Sequence, residues 1–531
     1  MLDNFDVIIV GGGPAAVHAA VPLVENGLSV LMVDGGVVMN NSFETSQSES
    51  FESIRRTRID QDKVFLGDTV SGALPPTGGD QGSHMSAGRF SYVIDKVRDF
   101  FKVQAGDFYV TQTLAQGGMS EVWGAACGIL DDEELAAIGL PGKEMREYYQ
   151  TVIDSVGVSG ISDLYKMQPA ATVSTHAEKL LGTYIKRRAQ FDNFKLEVMP
   201  AMLALLTRDL GVRRATNYND TEYWSQDGGA VYRARYTLDE LRTKSNFHYI
   251  DTHVVQTVEN HGDGVFVSGV DFEKKKFSFA GKKVILAAGS LSTVRILLKS
   301  LKLFNTKIKI TSKPHIIVPC IDLKFLGKTE DAHKHGLCQA MMESSRKING
   351  FTASSTQIYT YKSLLLFKLL NFLPFTGPES LGLLALYVPS MIIADSRFPS
   401  AINDLKTCEL VEQKDGDVLL IDYKTSDEDL KIIKREISIV KKGLRALGLI
   451  PLKEVYMQEG TSTHYAGGVS VGSEGALQAD KNGCLVQMSH VYVADASLWR
   501  ALSAKPPTLT IMANARRIGA HVAQQFVNKK A

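Results

Sequence analysis

The sequence is poor in cysteine. Five are scattered over 531 residues, at positions 127, 320, 338, 408 and 484, with no C-x-x-C pair among them. A disulfide framework or a structural zinc site needs paired, closely spaced thiols, so neither is expected and no metal is expected. Reduced cysteines suit a cytoplasmic setting. An excess of one charge is also missing. Lys+Arg number 59 and Asp+Glu 58, a net charge of +1, which argues against a nucleic-acid binder with its usual basic surplus. No apolar run approaches the roughly 20 residues that span a bilayer. Leu364–Phe375 is broken by Lys368, Asn371 and Pro374, and Leu381–Ile393 by Pro389. Both read as lining a core or a substrate chamber, with membrane-surface contact as the lesser alternative. The N-terminus lacks a secretory pattern, since Asp3 and Asp6 precede an apolar run, Val7–Val10, that is too short. What remains is an ordinary globular composition, 44% hydrophobic and 22% charged, on a chain long enough for two to four units at roughly 150 residues each.

The first forty residues carry the clearest pattern. Phe5–Val10 reads as a buried parallel strand, Gly11-Gly12-Gly13-Pro14-Ala15-Ala16 as a turn, Val17 to Glu25 as a helix, and Leu28–Val33 as a second strand closed by Asp34. The G-x-G-x-x-G/A spacing falls on Gly11, Gly13 and Ala16. Gly11 allows the tight turn, Gly13 lets backbone approach a pyrophosphate, and Ala16 lets helix and strand pack closely. The free N–H groups of the helix N-terminus, beside Pro14 and Ala15 of the turn, then face the phosphates. Asp34 is placed to accept hydrogen bonds from a ribose. Dinucleotide binding follows; an N-terminal position in so long a chain favours FAD over NAD without settling it.

Further segments have the same flavour. Val284–Ser290 is a buried strand ending in Ala288-Gly289, preceded by the strand-like Phe247–Val255. Gly117, Gly118 and Ser120 sit in a turn whose paired glycines permit close approach to a ligand. Val491–Ser497 is a strand ending in Asp495-Ala496, and Pro506-Pro507-Thr508 opens a helix running to about Gln525.

Together GGGPAA with Asp34, GGMSEVWG, VILAAGS, HYAGGVSVG, and VYVADAS followed by PPTLTIMANARR resemble the glucose–methanol–choline (GMC) family of FAD oxidoreductases. The GGMSEVWG stretch resembles the pyranose oxidase branch. The likeness spans the chain and is poor between about residues 300 and 455. It implies an α/β fold, with a Rossmann-like FAD-binding domain assembled from discontinuous segments, 1–65, 110–135, 195–300 and 462–531. A mixed sheet-and-helix substrate domain would come from 301–461, with parts of 66–109 and 136–194, and Ser363–Ser400 could wall the site.

The resemblance also implies roles. His464 parallels the histidine that takes the alcohol proton as carbon-bound hydride passes to flavin N5. The second active-site position, an Asn or His in the family, falls here on Pro506, which has no side-chain donor or acceptor. Lys505, Tyr465 or a residue of the substrate domain would have to compensate. The helix N-terminus at Pro507 and Thr508 should point at the flavin pyrimidine, where its dipole favours the anionic reduced form. Gly117, Gly118 and Ser120 should lie along pyrophosphate and flavin, Asp495 and Ala496 near flavin or phosphates, and Val255 against adenine. Val122 stands where the pyranose oxidase branch carries a flavin-bonding histidine, so FAD should be held non-covalently. The implied activity is oxidation of an alcohol, a sugar or glycoside hydroxyl on the GGMS likeness, with oxygen, a quinone or a carrier as electron acceptor. A lyase, a non-redox flavoprotein or an NAD-linked dehydrogenase are the alternatives. Arg213-Arg214 and Lys274–Lys276 read as solvated surface, although a phosphate-bearing substrate would give the arginines a use. Trp499 is the better site candidate among Trp123, Trp224 and Trp499, with Trp123 assigned to the core.

Overall fold

Val7, Ile8 and Ile9 are fully buried because Phe5–Val10 is the inner strand of a sheet. It lies between Val30–Val33 and Lys276–Leu286, parallel to both. Phe247–Ile250 extends the sheet beyond Val30–Val33, and Val491–Val493 pairs with the end of Lys276–Leu286, again parallel. Lys276–Leu286 is also the last strand of an antiparallel meander with His253–His261 and Gly264–Asp271. The computed structural model describes residues 5–39, 88–94, 96–218, 228–328, 331, 334–360, 377–472 and 475–527. Segments from the beginning, middle and end of the chain therefore build one sheet, as a discontinuous Rossmann-like unit requires.

The helix Pro14–Glu25 packs against the C-terminal helix Thr508–Val527. Gly519 allows the crossing, since a Cβ there would collide with the Ala19 carbonyl. Covering one face of the sheet with the first and last helices closes the unit.

A second sheet is antiparallel along its central path. Its order is Ile450–Pro451, His315–Ile321, Met391–Arg397, Ser355–Thr360, Ala340–Ser344 and Leu196–Pro200. Leu196–Pro200 was expected on the dinucleotide side of a boundary at 195. Its hydrogen bonds go instead to Ala340–Ser344, because Leu196 and Val198 join the apolar cluster under the helix Asp427–Ala446. Alternation in this sheet is decisive for the site. Ile316, Val318, Ile358, Ile392 and Ala394 face Ile433, Ile437 and Val440 of that helix, which leaves His315, Gln357, Asp395 and Arg397 on the opposite face, toward the first sheet.

A third, smaller sheet joins the two. It runs Tyr465–Gly467, Ile308–Ser312, Lys406–Val411, Val418–Tyr423 and Lys102–Gln104. Its first pairing sets Tyr465 opposite Ser312 and so delivers His464 to the seam between the larger sheets. The architecture is α/β, with a Rossmann-like parallel core and a mixed sheet-and-helix companion. Among the described residues no helix is long and apolar enough to cross a membrane; Leu364–Phe375 lies outside them.

Candidate functional site

The seam encloses a cavity of about 540 Å³. Most of the residues expected at the cofactor meet there. Gly11, Gly13, Pro14, Ala15 and Asp34 line it, with Gly118 and Ser120, Val255, Ala288 and Gly289, Asp495 and Ala496, and Pro507 and Thr508. Ala16 and Gly117 do not. Ala16 is fully buried in the helix–strand contact. Gly117 sits behind the wall at φ 88°, where a Cβ would meet the Glu121 carboxylate at 2.5 Å.

Backbone forms much of the dinucleotide side. A Cβ on Gly11 would lie 2.6 Å from the Ala287 carbonyl oxygen. The Gly13 and Gly118 turns face each other so closely that a Cβ on Gly118 would lie 3.0 Å from the Gly13 Cα. The helices Pro14–Glu25, Ser290–Ser300 and Thr508–Val527 all begin at this cavity, and none has an acidic residue in its first turn. Free N–H groups and helix dipoles of one sign therefore converge on it. Asp34 closes the far end. Its carboxylate accepts from Tyr249 Oη at 3.0 Å, yet burial pushes its pKa up to about 7. Glycine cradle, helix N-termini and acceptor carboxylate together fit the diphosphate and ribose of a dinucleotide. Asp495 has a scaffolding task as well. Its side chain accepts from the Gly289 N–H at 3.0 Å and from Thr293 Oγ1 at 2.5 Å, pinning the start of the helix Ser290–Ser300, and burial raises its pKa.

On the opposite wall His464 lines the cavity. Its Nδ1 lies 3.1 Å from Arg397 Nη1. Arg397 also donates from Nε and Nη2 to Asp395 Oδ2, at 3.0 and 2.8 Å. The other oxygen of Asp395 lies 3.0 Å from His315 Nδ1, and His315 Nε2 lies 3.0 Å from Thr461 Oγ1. Burial alone would raise the Asp395 carboxyl, but Arg397 and His315 beside it hold it well below the carboxylate range. Burial first, then Lys313 and Arg397, hold the His464 imidazole well below its ordinary pKa. Lys313 itself is 1% exposed. Burial and the neighbouring Arg397 pull its pKa far down, and its Nζ donates to the Lys505 carbonyl at 2.5 Å.

Pro506 lines the cavity beside Pro507, and two of its suggested substitutes are occupied elsewhere. Lys505 points away, donating to Glu134 Oε2 at 2.9 Å and to the Ile129 carbonyl at 3.1 Å. Tyr465 Oη is bound to backbone, accepting from the Thr111 N–H at 2.9 Å and lying 3.0 Å from the Gly460 carbonyl. The polar groups come from the companion sheet. His315, Thr461, Asp395 and Arg397 were not anticipated individually. For Asp395 and Arg397 the signal was the A-D-S-R end of an otherwise apolar strand, whose i, i+2 charges share one face; His315 and Thr461 had none.

Other expectations change. Arg213 is not solvated. It is 5% exposed, donates to the Val156 and Gly229 carbonyls at 2.8 and 2.9 Å and stacks between Tyr232 and Tyr236, because the planar guanidinium can satisfy backbone carbonyls as it packs on rings. The tryptophan roles are reversed. Trp499 is buried off the cavity, whereas Trp123 lines it while donating Nε1–H to the Tyr232 carbonyl at 2.7 Å. Trp224 lies outside the described residues. Val122 lines the cavity and offers no atom for a flavin bond. Among the described residues no cluster of metal-ligating side chains occurs.

No protein-family model and no curated protein sequence matches the chain. Its structure is similar to the crystal structure of pyridoxine 4-oxidase from Mesorbium loti, with a TM-score of 0.61 and 14% identity over 99% of each chain. At that identity the likeness shows a shared fold along the whole length.

Proposed function

We propose that the chain is a GMC-type flavoprotein that holds FAD non-covalently and oxidises an alcohol hydroxyl to a carbonyl. The observation that carries this reading is the convergence, on one cavity, of a dinucleotide cradle and a wall bearing His464 and Arg397. A fold shared with a protein named as an oxidase supports it. Gly11, Gly13, Pro14, Ala15 and Gly118 would hold the diphosphate, Asp34 the ribose, and Val255 the adenine. Gly117 and Ala16 shape this cradle from behind. Asp495, Ala496, Pro507 and Thr508 would border the flavin, as would Ser120, Ala288 and Gly289. Bound FAD supplies a two-electron acceptor. The chain supplies orientation, exclusion of water and His464 at the reacting hydroxyl. A positive helix end at Thr508 favours negative charge on its side of the cavity without any side chain at Pro506.

A sugar or glycoside is the substrate class to which the GGMS segment points. The electron acceptor is oxygen, a quinone or a carrier, and the setting cytoplasmic. The test is anaerobic bleaching of flavin absorbance in the purified protein by benzyl alcohol, pyridoxine, D-glucose and methyl β-D-glucoside, with His464→Ala in parallel. Bleaching in wild type and none in the variant is the expected result. Bound flavin that nothing on the panel bleaches would overturn the oxidation and favour a lyase or non-redox flavoprotein. A protein purified without flavin would sink the cofactor reading.

A further inference from the structure

The two imidazoles on the cavity wall are held in opposite senses. A guanidinium has only N–H groups, so Arg397 Nη1 donates and His464 Nδ1 must be the bare, accepting nitrogen. Neutral His464 then carries its hydrogen on Nε2, which has no hydrogen-bond partner among the described residues and lies on a ring that lines the cavity. A carboxylate only accepts, so His315 Nδ1 carries a hydrogen toward Asp395 and neutral His315 keeps its lone pair on Nε2, facing the Thr461 hydroxyl. The Thr461 hydroxyl donates to the Gln458 carbonyl at 2.6 Å, so its one hydrogen must turn from there to the His315 Nε2 lone pair, 3.0 Å from Oγ1, for a relay to run. Thr461 and His315 both line the cavity.

We propose that His315, reached through the Thr461 hydroxyl, is the proton acceptor for the alcohol, and that His464 grips the alcohol oxygen as an N–H donor. This rests on the oxidation proposed above and reassigns the proton-accepting role that the family resemblance implies for His464. In the step, the alcohol O–H breaks and its proton goes to Thr461 Oγ1 as the Thr461 hydrogen passes to His315 Nε2. The carbon gives up its hydride, with two electrons, to the flavin and becomes the carbonyl carbon. Charge decides between the two rings. A cation on His315 is formed against Asp395. A cation on His464 would turn an Nδ1–H onto the Arg397 donor and place a second positive charge directly beside that guanidinium. Arg397 and Asp395 are thus positioning residues that set the two tautomers, as the partner of one ring nitrogen sets the role of the other. The arrangement also accounts for proline at 506, because the second polar group comes from the companion sheet.

The decisive measurement does not depend on turnover. FAD-loaded protein labelled with ¹⁵N-histidine is recorded by two-bond ¹H–¹⁵N correlation at neutral pH, with His315→Gln and His464→Gln giving the assignments. The expected result is His464 protonated only on Nε2 and His315 only on Nδ1, with Arg397→Met releasing the His464 tautomer. A hydrogen on Nδ1 of His464, or a His315 that is bare at Nδ1 or protonated at both nitrogens, overturns the assignment. Anaerobic flavin reduction by the same alcohol panel gives the second readout. His315→Gln and Thr461→Val should each slow reduction by roughly 10²–10⁴-fold, the usual worth of a general base, whereas His464→Gln, which keeps an amide donor, should lose about tenfold. The reverse ranking would overturn the proposal. If no alcohol reduces the wild type, the oxidation reading fails and the proton-acceptor role of His315 falls with it; if alcohols do reduce it but the tautomers are reversed, only the assignment of the two histidines fails.

Discussion

Asp34 should make FAD binding release a proton. Its carboxyl is 8% exposed, and burial pushes its pKa to about 7 in the protein without ligand, against the hydrogen bond from Tyr249 and the N–H groups of Gly35, Gly36 and Gly12. Ribose hydroxyls donating to it would favour the carboxylate and lower that value. Below pH 7 the cofactor must therefore displace a proton. Affinity should fall about tenfold for each pH unit, at about 1.4 kcal/mol per unit, and level off above about pH 7. At about pH 5.5 the dissociation constant should stand roughly thirtyfold above its high-pH plateau, and about fifteenfold above its value at pH 7. In Asp34→Asn nothing titrates, so the curve should be flat. At high pH the variant should bind about 10- to 100-fold more weakly, since hydrogen bonds to a charged group are worth roughly 1.5–3 kcal/mol. The assay strips the flavin and follows quenching of FAD fluorescence on titration with apoprotein across that range. A flat wild-type curve, or a slope that survives in Asp34→Asn, would refute the reasoning. The sign for folding is opposite. The folded, flavin-free protein keeps a proton that the unfolded chain has released, so its stability should decrease as pH rises from the ordinary carboxylate range through about 7.

Gly118→Ala places a Cβ 3.0 Å from Gly13 Cα at φ 62°. The left-handed backbone costs an alanine about 1–2 kcal/mol, so the midpoint of thermal unfolding should fall. FAD affinity should weaken at least about tenfold as the cradle closes, since about 1.4 kcal/mol is a factor of ten; wild-type affinity would count against the cradle. Glu134→Gln removes a fully buried carboxylate that accepts from Lys505 Nζ, Ser503 Oγ and the Thr352 N–H. It should cost about 1.5–3 kcal/mol in urea unfolding, the worth of hydrogen bonds to a charged group, since Glu343 still faces the Lys505 charge. Cys127, Cys320, Cys338 and Cys408 are buried, and burial pushes each thiol to about 12. Ellman's reagent at mildly alkaline pH should therefore reach at most Cys484 in the native protein and all five thiols after unfolding.

The dinucleotide half was readable because its physics is local. A strand, a glycine turn, a helix and an acid lie within Phe5–Asp34, and each is recognised by the residues it must have. Val284–Leu286 and Val491–Val493 were readable for the same reason, since buried parallel strands are continuous apolar runs, whereas the earlier part of Lys276–Leu286, polar and paired antiparallel, was not. The companion sheet was harder. Leu196–Pro200 alternates, and alternation shows that one face is buried without showing in which sheet. Arg213 and Trp499 were misplaced because residue type sets what a side chain can do, and only packing sets what lies around it.

By itself, then, the sequence determined the α/β architecture and the glycine cradle, and the resemblance it carries singled out His464, which lines the same cavity. The tertiary structure decided what His464 can do there. Arg397 is 67 residues away along the chain, at the end of a strand in a different sheet. Its donor reaches Nδ1 because Tyr465–Gly467 pairs with Ile308–Ser312 and His315–Ile321 pairs with Met391–Arg397. An imidazole has two equivalent choices for its proton, and only a partner arriving through space selects between them.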